Sequence, residues 1–105
     1  MSEVRRVRKR PIEVEAIRWT GDNTMDVIDW IIATGILSAR WHEEVPAVEP
    51  DADGKSRDAD PEHIAINTLE GTMRADLGDW VIRGIQNEHY PCKPDIFQAT
   101  YEVLS

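Results

Sequence analysis

"IAINTLEGTMRADLGDWVI", residues 64–82, carries a two-residue period twice and then loses it. Ile64 and Ile66 alternate with Ala65 and Asn67, and Met73, Ala75 and Leu77 alternate on the far side of Glu70-Gly71. Successive side chains of a strand point to opposite faces, so each run reads as a half-buried strand, and the glycine between them supplies a tight turn. The stretch therefore predicts a β-hairpin. Gly78-Asp79 turns the chain again, and Asp79 is expected to cap that turn through its own backbone. Trp80-Val81-Ile82 follows as a continuous apolar run, the pattern of a strand covered on both faces near the middle of a sheet.

The neighbouring segments extend this sheet. Asn87 offers a second hairpin turn between Ile85 and Tyr90. Pro94 suits the first turn of a short helix within Lys93 to Thr100, with Ile96, Phe97 and Tyr101 near helical spacing, and Tyr101 to Leu104 reads as a closing strand. Upstream, Pro11 to Trp19 alternates through Ile12, Val14 and Ala16, then changes phase to Ile17 and Trp19, which suggests a bulge or burial on both faces. Asn23 is placed to cap a helix from Thr24 to Thr34, whose Val27, Ile28, Trp30 and Ile31 share one face, and Gly35 stands where a left-handed cap is expected. Ile36 to Trp41 reads as a short strand or turn. The elements segregate into an α+β domain: a bent antiparallel sheet of about five strands, with a half-open barrel as the extreme of that bending, one main helix and a short C-terminal helical turn.

At 105 residues the chain fits one domain with one core. Its 41% apolar content is modest, so its four Trp, two Tyr and single Phe are expected to supply much of the buried area. The net charge of -8 is unevenly distributed. Residues 1–10 hold five basic side chains against Glu3, which makes that arm +4 and leaves -12 for residues 11–105. An acidic body repels phosphates, so nucleic-acid contact is left to the basic arm alone, whose simplest reading is a solvated extension. Residues 43–62 hold eight acids against Lys55 and Arg57, three prolines and no large aromatic, and are expected to form a long mobile acidic loop.

No membrane-spanning stretch and no signal-like apolar run is visible, and one cysteine permits no internal disulfide; the expected setting is cytoplasmic.

Chemistry-bearing residues gather in "HYPCKPDIFQATY", residues 89–101. Alternation puts Tyr90 and Cys92 on one face and His89 and Lys93 on the other, so Cys92 lacks a base within reach and reads as a small buried side chain. His89 and Lys93 on an open face, with Asp95 nearby, are candidates for contacting a ligand or partner. Trp19, Trp80 and Tyr90 with Lys93 offer an alternative, an aromatic pocket with one cation suited to a nucleotide-like molecule. Asp76 and Asp79, three residues apart across a turn, do not by themselves define an acid/base pair. His42 and His63 flank the acidic loop, and a metal site with Glu43, Glu44 or Glu62 can be imagined, but their separation in sequence makes the signal weak, and neither a metal nor a cofactor is expected. No phosphate-binding glycine loop, nucleophile elbow or HExxH is present, so the reading is of a non-enzyme.

The segments "RKRPIEVEAIRWTGDN" (8–23) and "INTLEGTMRADLGDWVIRGIQNEHYPCKPDIFQATYEVL" (66–104), with the helix between them, resemble small proteins encoded by tailed bacteriophages and prophages, including those of actinobacterial hosts. The shared pattern is Trp-Thr-Gly, Thr-Leu-Glu-Gly, Gly-Asp-Trp and Tyr-Pro-Cys-Lys-Pro-Asp-Ile-Phe. The chain departs from it in the 43–62 segment, in its arginine-rich start and at Asn87-Glu88-His89. The resemblance implies origin rather than chemistry: a phage accessory protein in the host cytoplasm that binds a host protein in takeover or counter-defence. Exposed sheet edges add the expectation of a homodimer.

Overall fold

A computed structural model describes residues 2–105. The order of elements is β1 (Glu15–Arg18), α1 (Thr24–Thr34), β2 (Ala39–His42), β3 (His63–Thr68), β4 (Gly71–Asp76), β5 (Trp80–Arg83), β6 (His89–Cys92) and α2 (Pro94–Thr100). The strands form two antiparallel three-stranded sheets, ordered β1-β5-β6 and β2-β3-β4. The class is α+β, mostly antiparallel sheet, with a main helix and a short C-terminal one, as expected, and without a closed barrel; the strands number six among the described residues and divide between two sheets.

The expected hairpin forms over His63–Asp76, with Ile64 opposite Ala75 and Ile66 opposite Met73. Gly71 takes a φ of 112°, a region that side chains with a Cβ rarely enter. Ile64, Ile66, Met73 and Ala75 share one face. Ile64, Ile66 and Ala75 are buried there, whereas Met73, nearer the turn, remains substantially exposed, and Leu77 lies past the end of β4 and is also exposed. β5 lies between β1 and β6, and Val81 and Ile82 are both fully buried, as their unbroken apolar run requires.

One core serves both sheets. Trp19, Val27, Ile28 and Ile31 join Ile64, Ile66, Ala75 and Val81 in a single cluster, with α1 supplying three of them from one face. Fully burying each aliphatic side chain contributes about 1.5–3 kcal/mol. The Leu77-Gly78-Asp79 turn ties the sheets together: Trp19 N–H donates to the Asp79 carbonyl at 2.9 Å, and Gly78 N–H donates to the Trp19 carbonyl at 2.8 Å.

Several local expectations change. β1 begins only at Glu15 and pairs with β5 without a bulge; Ala16 and Ile17, on opposite faces, are both half-buried, so the phase change reflects burial on both faces. Asn23 makes no side-chain bond to the helix; its Oδ1 accepts from Thr20 N–H, and its Nδ2 donates to the Arg18 carbonyl, fastening the turn before α1. Gly35 is extended, at φ -101° and ψ 169°, rather than left-handed. Its role is close approach, since a Cβ there would meet His89 Nδ1 at 2.7 Å. Tyr101 to Leu104 forms no strand.

The acidic segment is a paired ribbon. Val45 exchanges backbone hydrogen bonds with Asp60, and Val48 with Arg57, closed by a turn in which Asp51 Oδ1 accepts from the amides of Asp53 and Lys55. The radius of gyration, 17.6 Å, exceeds the ~13 Å of a compact chain of about this length, because arms and ribbon stand away from the body.

Candidate functional site

The corner between β4 and β5 places two carboxylates beside the end of β6. Burying Asp79 in an apolar turn demands partners for its carboxylate, because an unpaired buried charge is costly. The fold supplies them: Asp79 Oδ2 accepts from the Asp76 amide at 2.8 Å and from Lys93 Nζ at 2.8 Å, and its side chain is only 3% exposed. Lys93 reaches there because Pro94 starts α2 immediately after it, holding it at the junction of strand and helix.

The same ammonium bonds Asp76 Oδ2 at 2.8 Å, and Asp76 Oδ1 accepts from Arg74 Nε at 2.8 Å. Arg74 continues to Asp60 Oδ1 at 2.7 Å and to the Pro61 carbonyl at 3.2 Å. A charged chain thus runs from the ribbon's base to the buried corner. Hydrogen bonds from Lys93 and then Arg74 hold the Asp76 carboxyl below its ordinary range, and the bond from Arg74 does the same for Asp60. The bonds to Asp76 and Asp79 push the Lys93 ammonium up. Three carboxylates against two cations leave this network one negative charge, with its cations already engaged.

Beside it lies a cleft of about 440 Å³ between β4, β6 and α2, lined by Met73, Tyr90, Pro91, Cys92, Ile96 and Tyr101 among others. The Tyr90 and Tyr101 hydroxyls are 3.1 Å apart, and burial, reinforced by that bond, raises the Tyr90 pKa. Cys92 is half-buried on the cleft rather than in the core, and burial pushes its thiol up, away from the thiolate a nucleophile needs.

The sequence candidates divide. Tyr90 and Lys93 meet in the cleft. His89 does not lie on an open face; it is 3% exposed beneath the end of α1, which covers that side of β6. The Thr34 hydroxyl donates to the Trp30 carbonyl at 2.6 Å, so it accepts from His89 Nε2–H at 2.9 Å, and the Trp30 ring meets the imidazole edge-on at 4.9 Å. Burial, helped by the charge of Arg83, pulls the His89 pKa down. Trp19 is fully buried and donates from Nε1 to Thr24 Oγ1 at 2.9 Å. Trp80 stacks on Phe97 at 3.9 Å and lines a different groove, beside residues 11–16 and 100–105. Asp95 Oδ1 accepts from the Ile96 amide, outside the cleft. The aromatic pocket of Trp19, Trp80 and Tyr90 therefore does not assemble.

Sequence reading gave Met73, Ile96 and Tyr101 packing roles only and passed over Arg74. A signal existed for the network alone: an aspartate in Gly-Asp-Trp, between well-packed strands, calls for a cation, and Lys93 is the nearest basic residue to the final strand's end.

The chain matches no family model, no curated protein and no solved structure. No helix among the described residues is long and apolar enough to cross a membrane.

Proposed function

We propose that this chain acts by binding a protein partner, without catalysis, and that the partner seats an apolar side chain in the cleft between β4, β6 and α2. The observation that carries the reading is the cleft's rim, where Ile96 is 55% and Met73 42% exposed beside a network whose cations are already paired. Apolar side chains left in water around a concavity favour a covering protein surface. Paired cations give an anionic ligand little to bind, and the network's residual negative charge favours basic residues around the partner's anchor. The phage resemblance adds that the partner is a host protein, met in the host cytoplasm, and the free sheet edges leave room for a homodimer in the same reading.

The test compares wild type with Ile96→Asp in pull-downs from an actinobacterial lysate. Ile96→Asp should lose a partner that wild type retains, with an unchanged circular dichroism spectrum. Equal recovery by both proteins, or nothing above background for wild type, would overturn the proposal.

A second reading, a small-molecule site, is favoured by the cleft's volume, which lies within the ~300–1,000 Å³ of ligand pockets. Native mass spectrometry showing a reproducible added mass of ligand size, lost on Tyr90→Ala, would support it.

A further inference from the structure

We propose that His42 and His63 form a binding site for a divalent transition-metal ion, zinc or nickel, at the base of the acidic ribbon. The two residues are 21 positions apart in sequence, yet they are paired directly across β2 and β3. Their rings lie parallel, 7° apart in plane and 4.8 Å between centroids.

Ring stacking alone accounts for the parallel planes, but not for the way His63 is held. Its Nδ1 lies 3.0 Å from the Pro61 carbonyl, which can only accept, so Nδ1 carries the proton and the neutral ring's lone pair sits on Nε2. A backbone carbonyl bonded to one ring nitrogen is the arrangement that orients the other toward a metal. Two metal–nitrogen bonds of about 2.0–2.1 Å at a tetrahedral angle span roughly 3.3 Å. Parallel ring planes share no point, so His63 stays on the Pro61 carbonyl and His42 turns out of the stack about its soft terminal torsion to aim a nitrogen at the same ion.

The donor set defines the ion. Imidazoles suit zinc, nickel and copper, whereas calcium and magnesium require oxygen ligands. No group of three or more potential ligands converges among the described residues, so water completes the coordination and the site is open. Asp60 lies near both rings, but its carboxylate is paired with Arg74 at 2.7 Å and is not a ligand. Bound metal would clip the ribbon at its root.

Titrating zinc or nickel chloride into the full-length protein, about one pH unit above the ordinary His value of ~6.5, tests this. One-to-one binding is expected, with the ring signals of His42 and His63 moving in the NMR spectrum and those of buried His89 staying in place. His42→Asn and His63→Asn should each weaken binding by at least the ~10–100-fold that loss of an outer-shell partner costs. No binding by wild type, undiminished binding in both variants, or a response centred on His89 or Cys92 would overturn it. The ring signals of the unmutated protein decide the matter even if a variant fails to fold.

Discussion

The corner at Asp76 to Asp79 and the base of the acidic ribbon are both built from polar side chains on neighbouring strands, yet they are finished differently. At the corner every strong group has an internal partner: Asp79 holds Lys93 and the Asp76 amide, and Asp76 holds Lys93 and Arg74. At the ribbon base, His42 and His63 face each other at the surface, and among the described residues only the Nδ1 of His63 is engaged. Burial makes the difference. An aspartate at 3% exposure must be satisfied by the chain, whereas a surface imidazole can leave its lone pair to solvent or to an ion.

Removing a partner from the corner should produce the largest effect. Lys93→Ala leaves the Asp79 carboxylate buried with one backbone donor, and a loss of about 2–4 kcal/mol in urea unfolding is expected, less than a fully buried pair because Lys93 is itself half exposed. A loss below about 0.5 kcal/mol would erase the distinction between corner and ribbon.

The buried histidine provides the sharper test. The pKa of His89 is lowered in the folded protein, so the unfolded chain binds more protons there as pH falls. Its contribution to stability is fully present above the unfolded value of about 6.5 and declines as pH drops through that value toward the folded one. Stability measured from neutral pH down to about pH 5 should decrease, and His89→Gln should flatten that decrease. An unchanged slope would mean that His89 is not held neutral by the contacts beneath α1.

The smallest effect belongs to the ribbon. Without metal, His42→Asn should alter stability by no more than about 0.5 kcal/mol, the range of surface substitutions away from caps and networks. A larger loss would show that ring stacking itself holds the ribbon.

The elements that were legible in sequence are those whose signals lie within a few residues of one another. Alternation around Glu70-Gly71 located the hairpin, the shared face of Val27, Ile28 and Ile31 located α1, and the unbroken Trp80-Val81-Ile82 run located the central β5. The same local logic failed at Gly35, where the constraint is the His89 ring brought in from β6, and at residues 43–62, where composition pointed to an unpaired loop and backbone bonds made a ribbon.

For the site, sequence alone determined that His89 and Cys92 lie on opposite faces of one strand, because the two-residue period is a property of the chain itself. Tertiary structure decided which face was covered. It brought α1 over His89, left Cys92 on the cleft, carried Trp19 into the core away from Tyr90, and set His42 against His63 across 21 residues. Strand pairing and helix docking join residues far apart in the chain, and no local period encodes which partners will meet.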